Sequence, residues 1–397
     1  MTASIRASRS RPLMAEMISF SAMDRARATV LACLAAAAAV PAGAQGMATV
    51  DRIQRPGWWP TKGAASPTEY VGAAACARCH RRHASTQPGT SMARTEVRAE
   101  LSEVFREHPT LDFRRGPYSY RIDTRDGKSL YSVTDGTRSI SAPLGWAFGV
   151  GRVGQSWLFE RDGRLYESRM SYYDAIKALD FTPGHALSAP RDVEEAMARP
   201  IDAAEARRCF GCHTTGSTTN DTLDPARLVS GITCEACHGP GAKHVAAIEQ
   251  DRVGDARRAI LNPRTLDPAA SVDFCGACHA TWWDVTLAQA DVTAALRSQP
   301  YRLTSSRCWG DGDARLTCVA CHEPHQPRQT EPAAYDGRCL SCHVSGKAAI
   351  TRDHPGRACP VGTARCVSCH MPKYDVPWMH SKFTDHLIRV SRETRPR

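Results

Sequence analysis

The chain has 397 residues and a formal charge of +10, and 17 of its residues are cysteine. That usage is far above average, so sulfur chemistry must be explained before fold. Gly and Pro supply 28 and 25 residues against 7% aromatics, which suits a loop-rich protein better than one closed around a large apolar core. No long Lys/Arg run and no nucleic-acid-binding signature accompanies the positive charge, which argues against a nucleic-acid partner.

In chain order, residues 23–44 read MDRARATVLACLAAAAAVPAGA: basic residues, an alanine-rich apolar run, then small residues before Gln45. This is the pattern of a secretory signal peptide over 1–44, with translation starting at Met1 or at Met23. The run from Thr29 to Val40 is too short to span a bilayer. A lipoprotein reading through Cys33 fits less well, because most of the apolar run would follow that cysteine. The expected location is periplasmic or otherwise exported. Removing 1–44 takes away five Arg against Glu16 and Asp24 and leaves +7.

Residues 45–99 form an N-terminal segment. Its lead-in contains Pro56-Gly57-Trp58-Trp59-Pro60, which discourages a helix. Residues 100–186 hold no cysteine and read as a small antiparallel β insert. PYSYRIDTRDGKSLYSVTDG alternates Tyr118, Tyr120 and Ile122 with polar residues around Asp126-Gly127, and Asp162-Gly163 repeats the hairpin signal. Residues 187–397 form the third part. A helical approach at 187–208 breaks at Pro200. Later helices should be short, one example being 284–298.

Seven C-x-x-C pairs punctuate the chain: Cys76/Cys79, Cys209/Cys212, Cys234/Cys237, Cys275/Cys278, Cys318/Cys321, Cys339/Cys342 and Cys366/Cys369. Each is followed at once by a histidine: His80, His213, His238, His279, His322, His343 and His370. These seven sites are called motifs 1 to 7 below. C-x-x-C-H attaches c-type haem. Two thiols on one helical turn meet the two vinyl groups, and the adjacent imidazole reaches the iron from one face. Zinc ribbons and disulfide scaffolds also use C-x-x-C pairs, but neither requires a histidine at that fixed place. Seven covalently bound haems are therefore expected, one in the N-terminal segment and six in a 187–397 cytochrome domain. Their propionates would offset much of the positive charge.

Eight histidines stand outside the motifs, and these are the candidates for the second axial position. His244 (CHGPGAKH) and His325 (CHEPH) are tied closely behind a motif, too near to reach around their own rings, so each should serve a neighbouring haem. His380 and His386 lie on the tail after motif 7. His354, His185 and His108 are further candidates, and Met92 is a sulfur alternative. His83 lies too close to His80 and reads as a surface or propionate-contacting residue. Supply matches demand, which favours mostly six-coordinate iron. Cys308 and Cys359 remain, and two surplus thiols in an exported protein suggest one disulfide.

YVGAAACARCH, CEACHGPGAKH, LTCVACHEPH and CVSCHMPK resemble the multihaem c-type cytochromes related to the tetrahaem cytochrome of nitrifying bacteria. That superfamily includes multihaem nitrite reductases and hydroxylamine oxidoreductases. The resemblance covers residues 70–92 and about 205–390, and residues 148–173 resemble inserts in some members. It implies a mainly α multihaem cytochrome c fold with much irregular loop, haems packed in close pairs, and distal roles for His244 and His325. Seven motifs match neither the tetrahaem nor the octahaem pattern, and no C-x-x-C-K motif occurs, so no catalytic residue is carried over. The expected function is electron transfer between redox protein partners, after loading by the cytochrome c maturation machinery. The alternative is an oxidoreductase acting on a small nitrogen or sulfur compound at one five-coordinate haem.

Overall fold

A computed structural model describes residues 65–186, 188–219, 222–306, 308–309, 316–343 and 359–391. The expected leader, the Trp58-Trp59 pair and His354 lie outside them.

The β insert is larger than its sequence suggests. Strands β2 (Thr110–Arg115), β3 (Tyr118–Arg125), β4 (Lys128–Thr134) and β5 (Ser139–Pro143) form an antiparallel meander. A second sheet runs β1 (Glu96–Arg98), β6 (Trp146–Phe148), β7 (Gly154–Arg161), β8 (Arg164–Ser168) and β11 (Ala198–Pro200). Off this path, β9 (Met170–Tyr173) pairs with β7, and β10 (Ala178–Phe181) pairs with β9. Both predicted hairpins form. Asp126 and Gly127 have φ of 50° and 74°, and Asp162 and Gly163 have φ of 51° and 69°. Two positive φ values in succession suit the turn that matches strand twist, and glycine takes the second at no steric cost.

Alternation does the rest. Tyr118, Tyr120 and Ile122 all point inward, joining Tyr131, Trp157, Phe159 and Met170 in the largest apolar cluster. The expectation of a mainly α chain therefore holds only in part: strands are substantial, and they own most of the ordinary hydrophobic core. The cytochrome part has little of its own. Its C-terminal apolar cluster is Leu296, Tyr374 and Val376.

Helices there are short and individually capped. Asp192 accepts from Glu195 N and starts Val193–Met197; Asp202 accepts from Glu205 N and starts Ala203–His213. Between them, Pro200 lies in β11. The single helix predicted over 284–298 is two, Trp282–Leu287 and Val292–Ala295, because Asp291 caps the second. Side-chain caps of this kind satisfy N–H groups that the first turn leaves open.

Candidate haem-binding site

Every motif has cysteines on a helical turn. Motifs 2 and 4 end the helices Ala203–His213 and Pro268–His279, while motifs 3 and 7 are the helices Cys234–His238 and Cys366–His370. Cys76, Cys318 and Cys339 lie in Ala73–Ala77, Cys318–Cys321 and Asp336–Leu340. Cys79 and Cys342 follow in the turns behind the first and last of these helices.

In four of the seven pairs the two cysteines are not equally enclosed. Cys79, Cys278, Cys321 and Cys369 are exposed while the first cysteine of each of those pairs is half-buried; Cys212, Cys237 and Cys342 are half-buried like their partners. Cys237 lies close enough to Cys275 of motif 4 to help raise that thiol, and Cys278 close enough to His213 of motif 2 to act on its imidazole.

Burial pushes the Cys209 thiol up to about 12 and the His386 imidazole down to about 4, although neither side chain is packed out of reach of solvent.

Three motif histidines face a second imidazole across a gap. His80 and His244 have ring centroids 6.4 Å apart, His238 and His325 are 6.0 Å apart, and His322 and His386 are 6.2 Å apart. A metal bound from both sides at about 2.0–2.1 Å per nitrogen holds its two imidazole centroids roughly 6 Å apart. The spacing is what one metal atom between two imidazoles requires. Among the described residues, no cluster of three or more His, Cys, Asp or Glu converges on a metal position.

The other ring nitrogen is occupied. Nδ1 of His213 donates to Thr95 O at 3.0 Å, and Nδ1 of His238 to Leu261 O at 2.8 Å. His244, His370 and His386 donate to Ala256 O, Arg389 O and Thr384 O at 2.9, 3.0 and 3.0 Å. A carbonyl can only accept, so each of these rings carries its proton on Nδ1 and leaves the Nε2 lone pair for iron. His325 Nδ1 is held by Glu323 Oε1 at 2.8 Å. These residues fit c-type haem.

The two best sequence candidates each stand beside the histidine of another motif. His244 follows motif 3 but faces motif 1; His325 follows motif 5 but faces motif 3. His386 faces motif 5. The remaining candidates do not meet a motif histidine ring among the described residues. His380 Nε2 is 2.8 Å from Asp180 Oδ2 and packs edge-on against Tyr173. His108 Nε2 meets Tyr172 Oη at 3.0 Å inside the insert. His185 is buried with Nε2 3.4 Å from Glu167. Met92 contributes backbone contacts, its carbonyl accepting from Thr95 and Ile232. His83 lies 4.4 Å, ring to ring, from His325.

The motifs also touch one another. Cys76 and Cys234 lie close enough to shift each other's thiol pKa, as do Cys275 and Cys318, and Cys339 and Cys366. Cys212 Sγ meets Ala277 O of motif 4 at 3.5 Å. Motifs 1 and 3, 4 and 5, 6 and 7, and 2 and 4 are thus neighbours. Glu235, inside motif 3, is buried and accepts from Val71 N, Gly72 N and Gly241 N at 2.9, 2.8 and 2.8 Å. It fastens the N-terminal motif to the rest. Nothing in the sequence flagged Glu235, Thr95 or Asp180; an acid within a C-x-x-C pair was the one available hint. Cys359 is a thiol whose pKa is lowered by the Val361 and Gly362 N–H groups. Its pairing with Cys308 stays a proposal, checked by asking whether both thiols alkylate without reduction.

Residues 175–239 match the family described as cytochrome c554 and c-prime. The crystal structure of the outer cell wall cytochrome OcwA is similar at a TM-score of 0.47 and 16% identity, covering 81% of this chain and 80% of that one. No curated protein matches the chain.

Proposed function

We propose that this chain is an exported heptahaem c-type cytochrome that passes electrons between redox protein partners through mostly six-coordinate haems. The observation that carries this reading is the three facing imidazole pairs at 6.0–6.4 Å, each with one member supplied by a C-x-x-C-H motif. Haem supplies the one-electron chemistry when bound. The protein attaches it through paired thiols, orients imidazoles through Nδ1 and keeps the sites close. No helix among the described residues is long and apolar enough to cross a membrane. Expression with haem-ligation machinery should give a red protein carrying seven haems per chain by mass, beginning at Gln45, with a low-spin ferric EPR spectrum. A colourless chain at apoprotein mass would end the proposal.

One observation keeps the catalytic alternative in play. Arg297 is surrounded by protein, which pushes its guanidinium pKa down, yet its side chain is exposed and forms no ion pair among the described residues. It lies over Trp378 at 5.7 Å and close enough to His213 to help lower that imidazole's pKa. A guanidinium near a motif with no carboxylate partner among the described residues suits a haem propionate or a small oxyanion. Nitrite added to the oxidised protein separates the two: a spectral shift lost in Arg297→Ala supports catalysis, and no shift supports the wire.

A further inference from the structure

The tail behind motif 7 contains the segment Asp385-His386-Leu387-Ile388-Arg389, and its anchoring is unusual. Asp385 is fully buried, and its carboxylate accepts from Arg302 through Nε and Nη2, both at 2.8 Å. Arg389 Nη1 donates to the same carboxylate at 2.6 Å, and Leu387 N does so at 2.9 Å. Ser306, also buried, donates to His386 O at 3.1 Å and accepts from Ile388 N at 2.8 Å. Arg302 and Ser306 sit on or just behind the helix Gln299–Thr304. All five residues of the segment are therefore tied to one another or to that helix.

What the segment holds at each end gives these ties a purpose. His386, second in the segment, faces His322 of motif 5 across 6.2 Å. At the other end, Arg389 O accepts from His370 Nδ1 at 3.0 Å, and Arg389 N donates to His370 O at 3.2 Å. His370 is the proximal imidazole of motif 7. One short strap thus carries the distal imidazole of one iron and the hydrogen-bond partner of another.

We propose that Asp385, with Arg302, Arg389 and Ser306, is a positioning cluster that sets two iron sites at once, the distal ligand of motif 5 and the proximal ligand of motif 7. This rests on the reading of His386 as an axial ligand. A buried carboxylate shared by two guanidiniums has few alternative geometries, because any displacement leaves a charge unpaired in a dry setting. The strap then cannot slide, and His386 stays within bonding reach without having to be recruited. At motif 7, the Arg389 carbonyl makes the His370 imidazole a stronger donor to iron, which favours the ferric form.

The test uses the haem-loaded protein and the variants Asp385→Asn, Ser306→Ala and His386→Ala. His386→Ala identifies the motif-5 signal by converting one iron from low to high spin. Asp385→Asn is expected to lose that same low-spin signal, with added imidazole restoring it, and to shift one further haem to a more positive midpoint potential. Ser306→Ala, the milder change should Asp385→Asn fail to fold, is expected to affect the motif-5 signal alone. If His386→Ala converts one iron while both other variants keep every spin state and potential, the positioning role is wrong and the ligand assignment stands. A lower melting temperature with an unchanged spectrum overturns the positioning role in the same way, since it marks a merely structural cluster. If His386→Ala changes no spin state, the ligand assignment falls and the cluster proposal falls with it.

Discussion

His325 stands three residues behind His322, and that short tether decides what it can do. It cannot pass around the ring attached to its own motif, so it reaches the next one and faces His238. His244 behaves the same way toward His80. That each stands beside another motif's histidine could be argued from sequence because local chain length limits reach. The place of His380 could not, since the residue that engages it, Asp180, comes from the insert and no local pattern announces the meeting. His386 was a candidate without an address, because its site depends on where the tail folds. Substitution follows directly. His244→Ala, His325→Ala and His386→Ala should each convert one iron from low to high spin, counted by EPR of the oxidised protein. His380→Ala should leave the count unchanged. A high-spin signal in the His380 variant would show that this residue leaves Asp180 for iron.

Between elements, carboxylates do the fastening that an apolar core does elsewhere. The hairpins of the insert could be read from Asp-Gly pairs and alternating tyrosines, since both signals are local. The attachment of the N-terminal motif could not, because three backbone N–H groups from two segments converge on Glu235. Hydrogen bonds to a charged group contribute about 1.5–3 kcal/mol each, and losing a shared acceptor leaves its donors unsatisfied. Glu235→Ala should therefore cost about 3 kcal/mol in denaturant unfolding, and Glu235→Gln clearly less. Equal and small effects from both would mean that the thioether links alone hold this segment.

Asp336 plays a similar part between motifs 6 and 7, accepting from Arg365 N and Cys366 N at 2.6 and 2.8 Å. These two N–H groups hold its carboxyl below the usual carboxylate range. A depressed folded-state pKa adds stability that is complete above the unfolded value and is lost as pH falls through the folded one. The melting-temperature gap between wild type and Asp336→Asn should thus be open at neutral pH and close on acidification below about pH 4, near the unfolded aspartate value. A gap that persists at low pH would rule out the carboxylate as its source.

At the scale of the molecule, the contacts between motifs form a connected path. Motif 1 meets motif 3 through Cys76–Cys234 and His80–His244; motif 3 meets the segment behind motif 5 through His238–His325. Motif 5 meets motif 4 through Cys275–Cys318, and motif 4 meets motif 2 through Cys212. Motif 5 also faces the tail of motif 7 through His386, and motif 7 meets motif 6. Of these contacts, only 4–5 and 6–7 join motifs that are consecutive in sequence. The seven motifs were legible because each is complete in five residues; their arrangement was not, because it is made by side chains far apart in the chain. The path makes motif 5 a junction between three branches: 3–1, 4–2 and 7–6. Removing its attachment with Cys318→Ser and Cys321→Ser should leave six haems by mass and interrupt exchange among the branches. In stopped-flow reduction by a protein donor, wild type should reduce as one rapidly equilibrating population. The variant should split into a fast fraction on the branch nearest the donor and a slow remainder. A single unchanged phase in the six-haem protein would mean that electrons cross between branches without motif 5, and the junction role would be lost.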